Sequence, residues 1–524
     1  MRSAEQAGPD DLVVEQVRGV PVRCYAQRPH SIVALLQDAL DLHAEKLLLV
    51  DPALGTSTTY AEFAELVEGA AAALSSRCAP GERVAVLTRN GLEAALAIWA
   101  CARAGLIHVG LPVDVPPARW RELLALVTPS LVLVQDGFDL PGDPVSVLRE
   151  VRLPWRDATP LPDQDTTYSL IATSGTTGRP KAVRITGRMT GHAAAFYTRT
   201  FGLHPGDRTA IHLPFAWVSG HITQLAPAML SGGSAVTMAH FSAPALVQVA
   251  AEHSVTWLDV VPSIWEQLLR TDGFGQQALP QVRLAVFGGA PAPPGTLERV
   301  RERMPQLRLY DVYALSETCA PVTCLSDAEA LRRPGTVGSP VPYAEVRLVD
   351  EAGEPVARGQ AGQVLVRSPA ITPGYWGDEA PPFTDDGWLR TGDVARMDHE
   401  GYLTVGGRAV DLIIRGGVNI YPGEVERALL ATGLLADAAV FGIPSAVAGQ
   451  NVAAAVVALP GVEVDRSALQ HAVRDRLGAH AVPRPLRVVA ELPRNRNGKV
   501  DRAVLRAQLS GATPADVTDS PGVQ

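Results

Sequence analysis

The chain has 524 residues, too many for one hydrophobic core, so two or more domains are expected. Its composition, 47% hydrophobic and 19% charged, is typical of a globular protein with a sizeable core. The net charge of −9 comes without a basic block, which argues against a nucleic-acid-binding surface and implies that local donors hold any polyanionic ligand.

The cysteines and the apolar stretches indicate a cytoplasmic protein. The five cysteines show neither metal-ligand spacing nor an even disulfide framework, which fits a reducing cytosol. The acidic N-terminus lacks the apolar stretch of a signal peptide. The most apolar region, residues 94–113, is interrupted by Arg103, His108 and Pro112, so we expect no membrane span.

The first third of the chain alternates between predicted helices and strands. Thr59 and Glu62 have the spacing of a capping box and predict a helix over residues 59–76. The next segments are predicted as strand 83–87, helix 92–104, strand 106–111, helix 116–126 and strand 131–134. Short apolar strands separated by helices indicate parallel βαβ units. Residues 137–165, rich in Asp and Pro, are expected to cross the surface.

A predicted strand over residues 168–172 leads into a loop rich in glycine and hydroxyl groups, residues 173–181. Glycines let backbone N–H groups approach phosphate oxygens, and Lys181 can neutralise a phosphate. The loop is not a Walker A motif, because no Ser or Thr follows the lysine. A solvated turn is the usual interpretation of such a run. The preceding strand and the Arg-Pro-Lys ending favour phosphate binding instead.

Three later segments carry further polar and aromatic groups. Residues 213–221 place aromatic and imidazole side chains beside a glycine, a weak signal alone. A buried strand at 284–287 ends in Gly288, and ends of this kind form ligand crevices in open α/β sheets. Residues 309–318 then supply Glu317, which suggests Mg²⁺ because a carboxylate near phosphates needs a cation between them.

From about residue 30 to residue 507, the chain resembles the adenylate-forming superfamily. This superfamily includes acyl- and aryl-CoA synthetases, the adenylation domains of nonribosomal peptide synthetases and luciferases. Six motifs occur in the family order, at residues 173–181, 288–291, 313–318, 388–393, 407–417 and 498–499. One such motif would be weak evidence, whereas six in order are strong.

The resemblance implies a role for each matching residue. The ATP phosphates would be held by Thr173, Ser174, Gly175, Thr176, Thr177, Gly178 and Lys181. The adenosine would be held by Gly289, Ala290, Pro291, Asp311, Tyr313, Asp393 and Arg408, with Tyr313 stacked on the base and Asp393 accepting from the ribose. Ser316 or Thr318 would reach the α-phosphate, Glu317 would hold Mg²⁺, and Lys499 would be the catalytic lysine of the C-terminal domain.

The resemblance also bounds the substrate and the acceptor. The acid pocket would be lined by Trp217, Val218, His221, Gly288, Ala314 and Leu315, and the CoA tunnel would be bordered by Gly416 and Gly417. Amino-acid-activating relatives carry an aspartate where this chain has Ala216, so an α-amino acid is disfavoured. Two departures affect later steps. Val410 replaces the polar pivot residue, and Ala481 replaces a lysine of many CoA ligases, for which Arg484 or Arg487 is a substitute.

The implied fold is α/β, with two domains. A large N-terminal domain of packed mixed sheets and helices would span residues 1–407, and a small mobile α+β domain residues 408–510, followed by a disordered tail at 511–524. In the small domain we predict a strand at 412–414, a helix at 424–430 and strands at 438–441 and 453–457.

The leading hypothesis is a ligase that activates a carboxylic acid with ATP and Mg²⁺ and transfers it to CoA. The runner-up is a stand-alone adenylating enzyme that passes the acyl group to a carrier protein, an amine or another nucleophile. A third class, a non-catalytic adenylate-binding protein, is disfavoured by the complete set of charged motif residues.

Overall fold

The computed structural model describes most of the chain. The described residues are 11–113, 115–157, 161–174, 180–290, 292, 295–377, 383–415, 418–445, 448–494 and 500–510. They confirm the α/β class, with a large N-terminal part built on three sheets and a smaller C-terminal part built on one.

The first sheet is mainly parallel. Within the described residues its strands are, in order across the sheet, Pro180–Thr186, Thr167–Ser174, Ile107–Gly110, Arg83–Leu87, Leu131–Val134 and Asp143–Pro144. The pairings are parallel except for the outermost, antiparallel one between Pro180–Thr186 and Thr167–Ser174. The prediction of parallel βαβ units is therefore confirmed.

The second sheet is larger and also has a parallel centre. Its described strands are, in order, Ser339–Pro340, Thr323–Leu325, Arg308–Tyr313, Leu284–Gly288, Trp257–Val260, Arg208–Ile211, Ser234–Thr237, Leu47–Asp51 and Thr56–Thr59. Antiparallel strands flank the parallel centre at both edges. The carboxyl ends of the central strands therefore meet at one edge, where open α/β sheets bind ligands.

Helices pack on and between these two sheets. In the N-terminal part the described helices are Ile32–His43, Tyr60–Ser75, Leu92–Arg103, Pro117–Val127, Gly187–Phe201, Ala226–Ser231, Ala243–Glu252, Pro262–Leu269, Thr296–Arg303 and Asp327–Ala330, with the π-helix Ser219–Leu225 and the 3-10 helix Val145–Arg149. Leu92–Arg103 is apolar on all sides and is buried from Leu92 to Ala102, as expected of a helix enclosed by other elements.

Two local predictions can be compared with these helices. The capping box of Thr59 and Glu62 is present at the start of Tyr60–Ser75. The segment 137–165 does more than cross the surface, because its 3-10 helix buries Val145 and Leu148 against the neighbouring helices. Among the helices formed by the described residues, none has the length and apolarity that a membrane crossing requires.

Two antiparallel units complete the N-terminal part. A hairpin of Leu12–Val17 and Val20–Tyr25 precedes the first helix. The third sheet is a meander of Glu345–Val349, Ala361–Arg367, Leu389–Met397 and Leu403–Arg408. The meander ends at Arg408, next to the predicted domain boundary, which stays a prediction.

The C-terminal part has its own sheet and core. Its described strands are Ile413–Arg415, Val418–Ile420, Leu435–Ser445, Gly449–Ala458 and Leu486–Val488, and its helices are Pro422–Leu430, Arg466–Leu477 and Arg502–Ser510, with 3-10 turns at Ala409–Asp411 and Ala479–Ala481. All four elements predicted in this part are confirmed, although the two longest strands extend several residues beyond the predicted bounds. The predicted tail, residues 511–524, lies outside the described residues.

Candidate active site

The predicted phosphate loop closes a β-hairpin at the edge of the first sheet. Thr167–Ser174 and Pro180–Thr186 pair in antiparallel fashion, and Thr173 lies directly opposite Lys181. The predicted strand before the loop is confirmed. Four predicted phosphate-binding residues, Gly175, Thr176, Thr177 and Gly178, lie outside the described residues. The side chain of Ser174 also lies outside them.

Tyr375 brings the predicted phosphate-binding cation and the predicted metal ligand together. Its ring centroid lies 4.7 Å from the Nζ atom of Lys181, and its hydroxyl donates to Oε1 of Glu317 at 2.9 Å. A cation over an aromatic face is attracted by the ring quadrupole, so one side chain holds both charged groups. Tyr375 was not among the predicted site residues. The sequence signal that could have identified it is the pair of aromatic residues that follows Pro373 and Gly374.

The segment around Tyr375 is itself bound to both neighbours. The Thr372 N–H donates to the Glu317 carbonyl oxygen at 2.8 Å, and the Arg184 N–H donates to the Gly374 carbonyl oxygen at 3.2 Å. The Thr372 hydroxyl adds a bond to the Arg184 carbonyl oxygen at 2.7 Å. The loop of Tyr375 therefore joins the phosphate-loop hairpin to the segment that carries Glu317.

The donor set around Glu317 fits Mg²⁺. The carboxylate is half-buried and oriented by the Tyr375 hydroxyl, which leaves oxygen lone pairs for a hard cation. Mg²⁺ keeps several waters and binds through one or two carboxylates plus substrate phosphates. Such a site needs no cluster of three protein ligands, and none occurs among the described residues.

A second cluster of polar side chains lies where the second and third sheets approach each other. The Tyr313 hydroxyl donates to Oδ2 of Asp393 at 2.5 Å, and Nε of Arg408 lies 2.9 Å from the other carboxylate oxygen. Arg408 is opposite Asp393 in the antiparallel pairing and also donates to the Thr391 carbonyl oxygen at 3.0 Å. Burial, reinforced by the charge of Asp393, raises the pKa of Tyr313 well above 10. The structure thus brings three predicted adenosine-binding residues together.

The strand Leu284–Gly288 ends at the ligand-binding edge of the second sheet. A Cβ on Gly288 would lie 2.3 Å from the Val312 carbonyl oxygen, so only glycine fits there. Gly289 follows with φ of +81°, a conformation that favours glycine, and is exposed. Ala290 is half-buried, and Pro291 lies outside the described residues.

The turn after Tyr313 separates the two candidate α-phosphate hydroxyls. The Thr318 hydroxyl is fully buried and bonds back to the backbone of Leu315, at 3.0 Å from its N–H and 3.1 Å from its carbonyl oxygen. Ser316 is half-buried, like Ala314 and Leu315, so it is the more accessible hydroxyl. Asp311 is buried, and burial raises its pKa well above the ordinary value. Its role in nucleotide binding stays a prediction.

The predicted acid-pocket segment is fixed to the first sheet by Asn90. The Asn90 side chain donates to the Leu213 carbonyl oxygen at 3.0 Å and accepts from the Phe215 N–H at 2.9 Å. Gly110 leaves room for the segment, since a Cβ there would lie 2.6 Å from the Cα of Ala216. Nothing in the sequence around Asn90 points to residues so far along the chain, so its role is evident only from the fold.

The predicted pocket residues differ in exposure. Trp217 and Val218 are half-buried, whereas His221 is buried with its Nδ1 3.1 Å from the Phe215 carbonyl oxygen. Burial lowers the pKa of His221 to about 4, so its imidazole is neutral at pH 7. His221 therefore carries no charge, and its place in the acid pocket stays a prediction.

The C-terminal part contacts the third sheet through arginine side chains. Arg396 forms an ion pair with Glu424 at 2.6 Å, and Arg427 donates to the Val405 carbonyl oxygen at 3.0 Å. Ala481 is buried, whereas its proposed substitutes Arg484 and Arg487 are exposed. Lys499, Gly416 and Gly417 lie outside the described residues, so their assigned roles stay predictions.

Comparison with family models identifies the chain. The model described as AMP-binding enzyme matches residues 36–376, and the model described as AMP-binding enzyme C-terminal domain matches residues 424–499. The chain belongs to the AMP-binding enzymes.

Relatives of this AMP-binding enzyme include named CoA ligases. It is 33% identical to the sulfoacetate–CoA ligase of Cupriavidus necator, over 91% of this chain and 97% of the relative. It is 31% identical to the indoleacetate–CoA ligase of Aromatoleum aromaticum, over 87% of this chain and 94% of the relative.

Solved structures of other proteins resemble this structure along nearly the whole chain. ATP-bound MatB of Rhodopseudomonas palustris superposes with a TM-score of 0.82 at 26% identity, covering 94% of this chain and 100% of MatB. The o-succinylbenzoate CoA synthetase MenE of Bacillus subtilis, solved with ATP and Mg²⁺, gives a TM-score of 0.79 at 27% identity, covering 92% and 99%.

The reaction class of this AMP-binding enzyme follows. It is an AMP-forming acid–thiol ligase that uses ATP, Mg²⁺ and CoA. It converts a carboxylic acid to an acyl-adenylate with release of pyrophosphate, and then to a thioester.

Proposed function

We propose that Lys181, Glu317 and Tyr375 form the phosphate side of this ligase and that Tyr313, Asp393 and Arg408 form its adenosine side. The observation that carries the proposal is the convergence of these side chains, which come from five separate segments of the chain. Lys181 and Glu317 share one tyrosine, and Asp393 shares its carboxylate between Tyr313 and Arg408.

The first half-reaction joins two anions, which explains the charges on the phosphate side. The substrate carboxylate attacks the α-phosphorus of ATP, a new P–O bond forms, and pyrophosphate leaves. Lys181 would neutralise phosphate charge, and Glu317 would hold a Mg²⁺ ion that neutralises more of it. Catalysis then depends on positioning and on fixed charges rather than on a protein nucleophile.

The residues of the adenosine side would position the ribose and the adenine of the nucleotide. Asp393 is positioned by Arg408 and Tyr313, and a carboxylate with two oxygens suits a pair of ribose hydroxyls. The exposed Gly289 backbone and Ala290 would border the adenine. Of the two hydroxyls proposed for the α-phosphate, Ser316 is favoured, because Thr318 is engaged with Leu315.

Lys499 and the pair Gly416 and Gly417 are proposed for different half-reactions. In the family pattern, the C-terminal domain presents the lysine during adenylation and the glycines during thioester formation. Arg408 and the following turn Ala409–Asp411 would form the pivot. Asp411, which accepts from Arg506 at 3.2 Å, would supply the polar group that Val410 does not.

The proposed substrate is a carboxylic acid without an α-ammonium group, because Ala216 offers such a group no partner. The exposed Arg484 and Arg487 would attract the phosphates of CoA, the acceptor that this ligase uses. A carrier-protein thiol is the alternative acceptor within the same chemistry. A cytoplasmic location is proposed from the five free cysteines, four of them buried.

A panel of acids and acceptors tests the proposal. Pyrophosphate release is measured with short-chain, aryl and α-amino acids, with and without CoA or a carrier protein. We expect pyrophosphate release with at least one acid that lacks an α-amino group, and formation of a thioester with release of AMP when CoA is added. Preference for an α-amino acid, or transfer to the carrier protein alone, would contradict the proposed specificity.

A further inference from the structure

Asp259 is a buried carboxylic acid in the parallel centre of the second sheet, and no motif accounts for it. It lies in the strand Trp257–Val260 and is only 8% exposed. Burial raises its pKa to about 7, opposed only by a hydrogen bond from Thr223. No cationic side chain of the described part of the chain forms an ion pair with it. A carboxyl group so placed is costly unless it has partners.

The hydrogen bonds around Asp259 leave it short of donors. The Thr223 hydroxyl lies 2.5 Å from Oδ2 of Asp259 and 3.1 Å from the Ser219 carbonyl oxygen. A hydroxyl has one proton, so it donates to only one of these two acceptors. Oδ1 accepts no hydrogen bond from the residues that the structure describes. Tyr197 is close enough that the charge of Asp259 adds to burial in raising the Tyr197 pKa.

The strand register places Asp259 below the predicted acid pocket. Asp259 lies directly beside Val286, and Gly288 is two residues farther along that strand. Residues two apart on a strand face the same side, so Asp259, Val286 and Gly288 share one face of the sheet. Gly288 is therefore about 7 Å nearer the carboxyl edge, where the nucleotide would bind.

The helix opposite this face also belongs to the predicted pocket. Thr223 and His221 both lie in the π-helix Ser219–Leu225, which follows the pocket residues Trp217 and Val218. The contact between Thr223 and Asp259 thus joins the pocket helix to the sheet. The reacting carboxylate must lie near the nucleotide, so an acid bound in the predicted pocket would have its opposite end on the side of Asp259.

We propose that Asp259 binds a hydrogen-bond donor, a hydroxyl or an ammonium group, at the end of the substrate remote from the reacting carboxylate. The proposal rests on the proposed function, because it takes the pocket of that site as the binding place. A methyl group at the remote end would leave Oδ1 of Asp259 without a hydrogen-bond donor, since Thr223 reaches only Oδ2. A second carboxylate there would meet the acid with no cation between them.

A purely structural role is the alternative. Asp259 would then only fix the π-helix through Thr223, and the identity of the remote group would not matter. Measurements of substrate selectivity distinguish the two roles. If Asp259 only supports packing, its replacement should not shift the preference between acids according to their remote group.

The test uses acids that differ only at the remote end. Hexanoate, 5-hydroxypentanoate, 5-aminopentanoate and adipate share four methylenes and end in methyl, hydroxyl, ammonium and carboxylate. Corresponding sets with two and three methylenes, and 4-methyl-, 4-hydroxy- and 4-carboxyphenylacetate, cover other pocket lengths. Each acid is measured by kcat/KM for pyrophosphate release and by the shift in Tm that it produces with a non-hydrolysable ATP analogue.

In at least one set we expect the hydroxyl or ammonium acid to exceed the methyl acid by about 10–100-fold, with the dicarboxylate weakest. Asp259→Leu should remove this preference or reverse it. Asp259→Asn, which keeps an acceptor but not the charge, should retain a preference for the hydroxyl acid and lose one for the ammonium acid. Thr209→Val is the matched control, because Thr209 lies in the neighbouring strand Arg208–Ile211 and its hydroxyl accepts from Gln224 of the same π-helix.

Equal values for donor and methyl acids in every set would overturn the proposal. So would a best rate with a dicarboxylate, an unchanged ratio of hydroxyl to methyl acid in Asp259→Leu, or an unchanged ratio of ammonium to methyl acid in Asp259→Asn. If Asp259→Leu does not fold, the ratio of kcat/KM between donor and methyl acids is measured in Asp259→Asn and Thr223→Val instead. Selective Tm shifts without pyrophosphate release would show the proposed function to be wrong while the inference about Asp259 held.

Discussion

Tyr375 contacts a cation and a carboxylate that must act together on the same nucleotide. Its hydroxyl is bonded to Glu317 and its ring faces Lys181, so removing the hydroxyl affects one contact and spares the other. At the scale of single residues, this separation allows the metal side of the site to be tested without deleting a charge.

Tyr375→Phe should weaken the response to Mg²⁺ more than it weakens ATP binding. Without the phenol O–H, the Glu317 carboxylate loses a fixed orientation, and the Mg²⁺ concentration for half-maximal pyrophosphate release should rise about 5–30-fold, as expected for loss of one charge-assisted hydrogen bond. Tyr402→Phe is the control, because the Tyr402 ring faces Arg333. An unchanged Mg²⁺ dependence in Tyr375→Phe would remove Tyr375 from the site.

Glu317→Gln should reduce adenylation more severely, by about 100-fold or more, while leaving Tm unchanged within a few degrees. The double variant with Tyr375→Phe should be no slower than Glu317→Gln alone, because the tyrosine acts through the carboxylate. Additive losses in pyrophosphate release would show that Tyr375 and Glu317 contribute independently.

At the scale of elements, the sequence predicted local structure well and long-range pairing poorly. The capping box of Thr59 and the alternation of strands and helices depend on neighbouring residues, so both could be predicted before the structure was known. The pairing of Leu47–Asp51 with Ser234–Thr237, and that of Ile107–Gly110 with Thr167–Ser174, depend on contacts between distant segments. Local propensity does not specify such contacts.

The candidate site shows the same division. Lys181, Glu317, Asp393 and Arg408 could be assigned because the family resemblance carries them by motif. Tyr375 and Asn90 act through bonds to remote segments and belong to no motif that we had assigned, so only the fold shows their positions. Asp259 belongs to no motif, and its surroundings come from another strand and from the π-helix, so only the fold shows them.

The N-terminal hairpin allows a stability prediction at this scale. Glu15 lies 2.7 Å from both Arg28 and Arg188. Burial opposes ionisation of Glu15, but the hydrogen bonds and charges of the two arginines outweigh it and lower its pKa to about 2. The resulting stabilisation is full above the unfolded-state pKa of about 4.5 and is lost as the pH falls towards 2.

Glu15→Gln should therefore lower the free energy of unfolding by about 2–4 kcal/mol at pH 7, and the difference should narrow between pH 4.5 and pH 3. Urea unfolding of the wild type and of Glu15→Gln at pH 7, 4.5 and 3 measures this difference in the free energy of unfolding. Glu122→Gln, which removes an exposed ion pair with Arg119, is the control and should change stability by less than about 1 kcal/mol. A difference for Glu15→Gln that is constant over this pH range would contradict the assigned role of its charge.

At the scale of the whole molecule, the account requires the two half-reactions to depend on different residues of the C-terminal part. Lys499→Ala should slow adenylation by about 10²–10³-fold, as for loss of one charge-stabilising donor, while thioester formation from a supplied acyl-adenylate stays near normal. Gly417→Leu should show the reverse, because a side chain would fill the thiol path. Equal losses in both half-reactions for both variants would exclude separate poses.

The most direct test of the central claim is ATP–pyrophosphate exchange, measured in the wild type, Glu317→Gln and Lys181→Ala with the acid that supports the fastest wild-type rate. Exchange reports reversible formation of the acyl-adenylate without any acceptor. The account predicts exchange that requires both acid and Mg²⁺ in the wild type, and a loss of about 100-fold or more in each variant with the fold retained. Acid-independent exchange, or variants that exchange at the wild-type rate under limiting Mg²⁺, would contradict it.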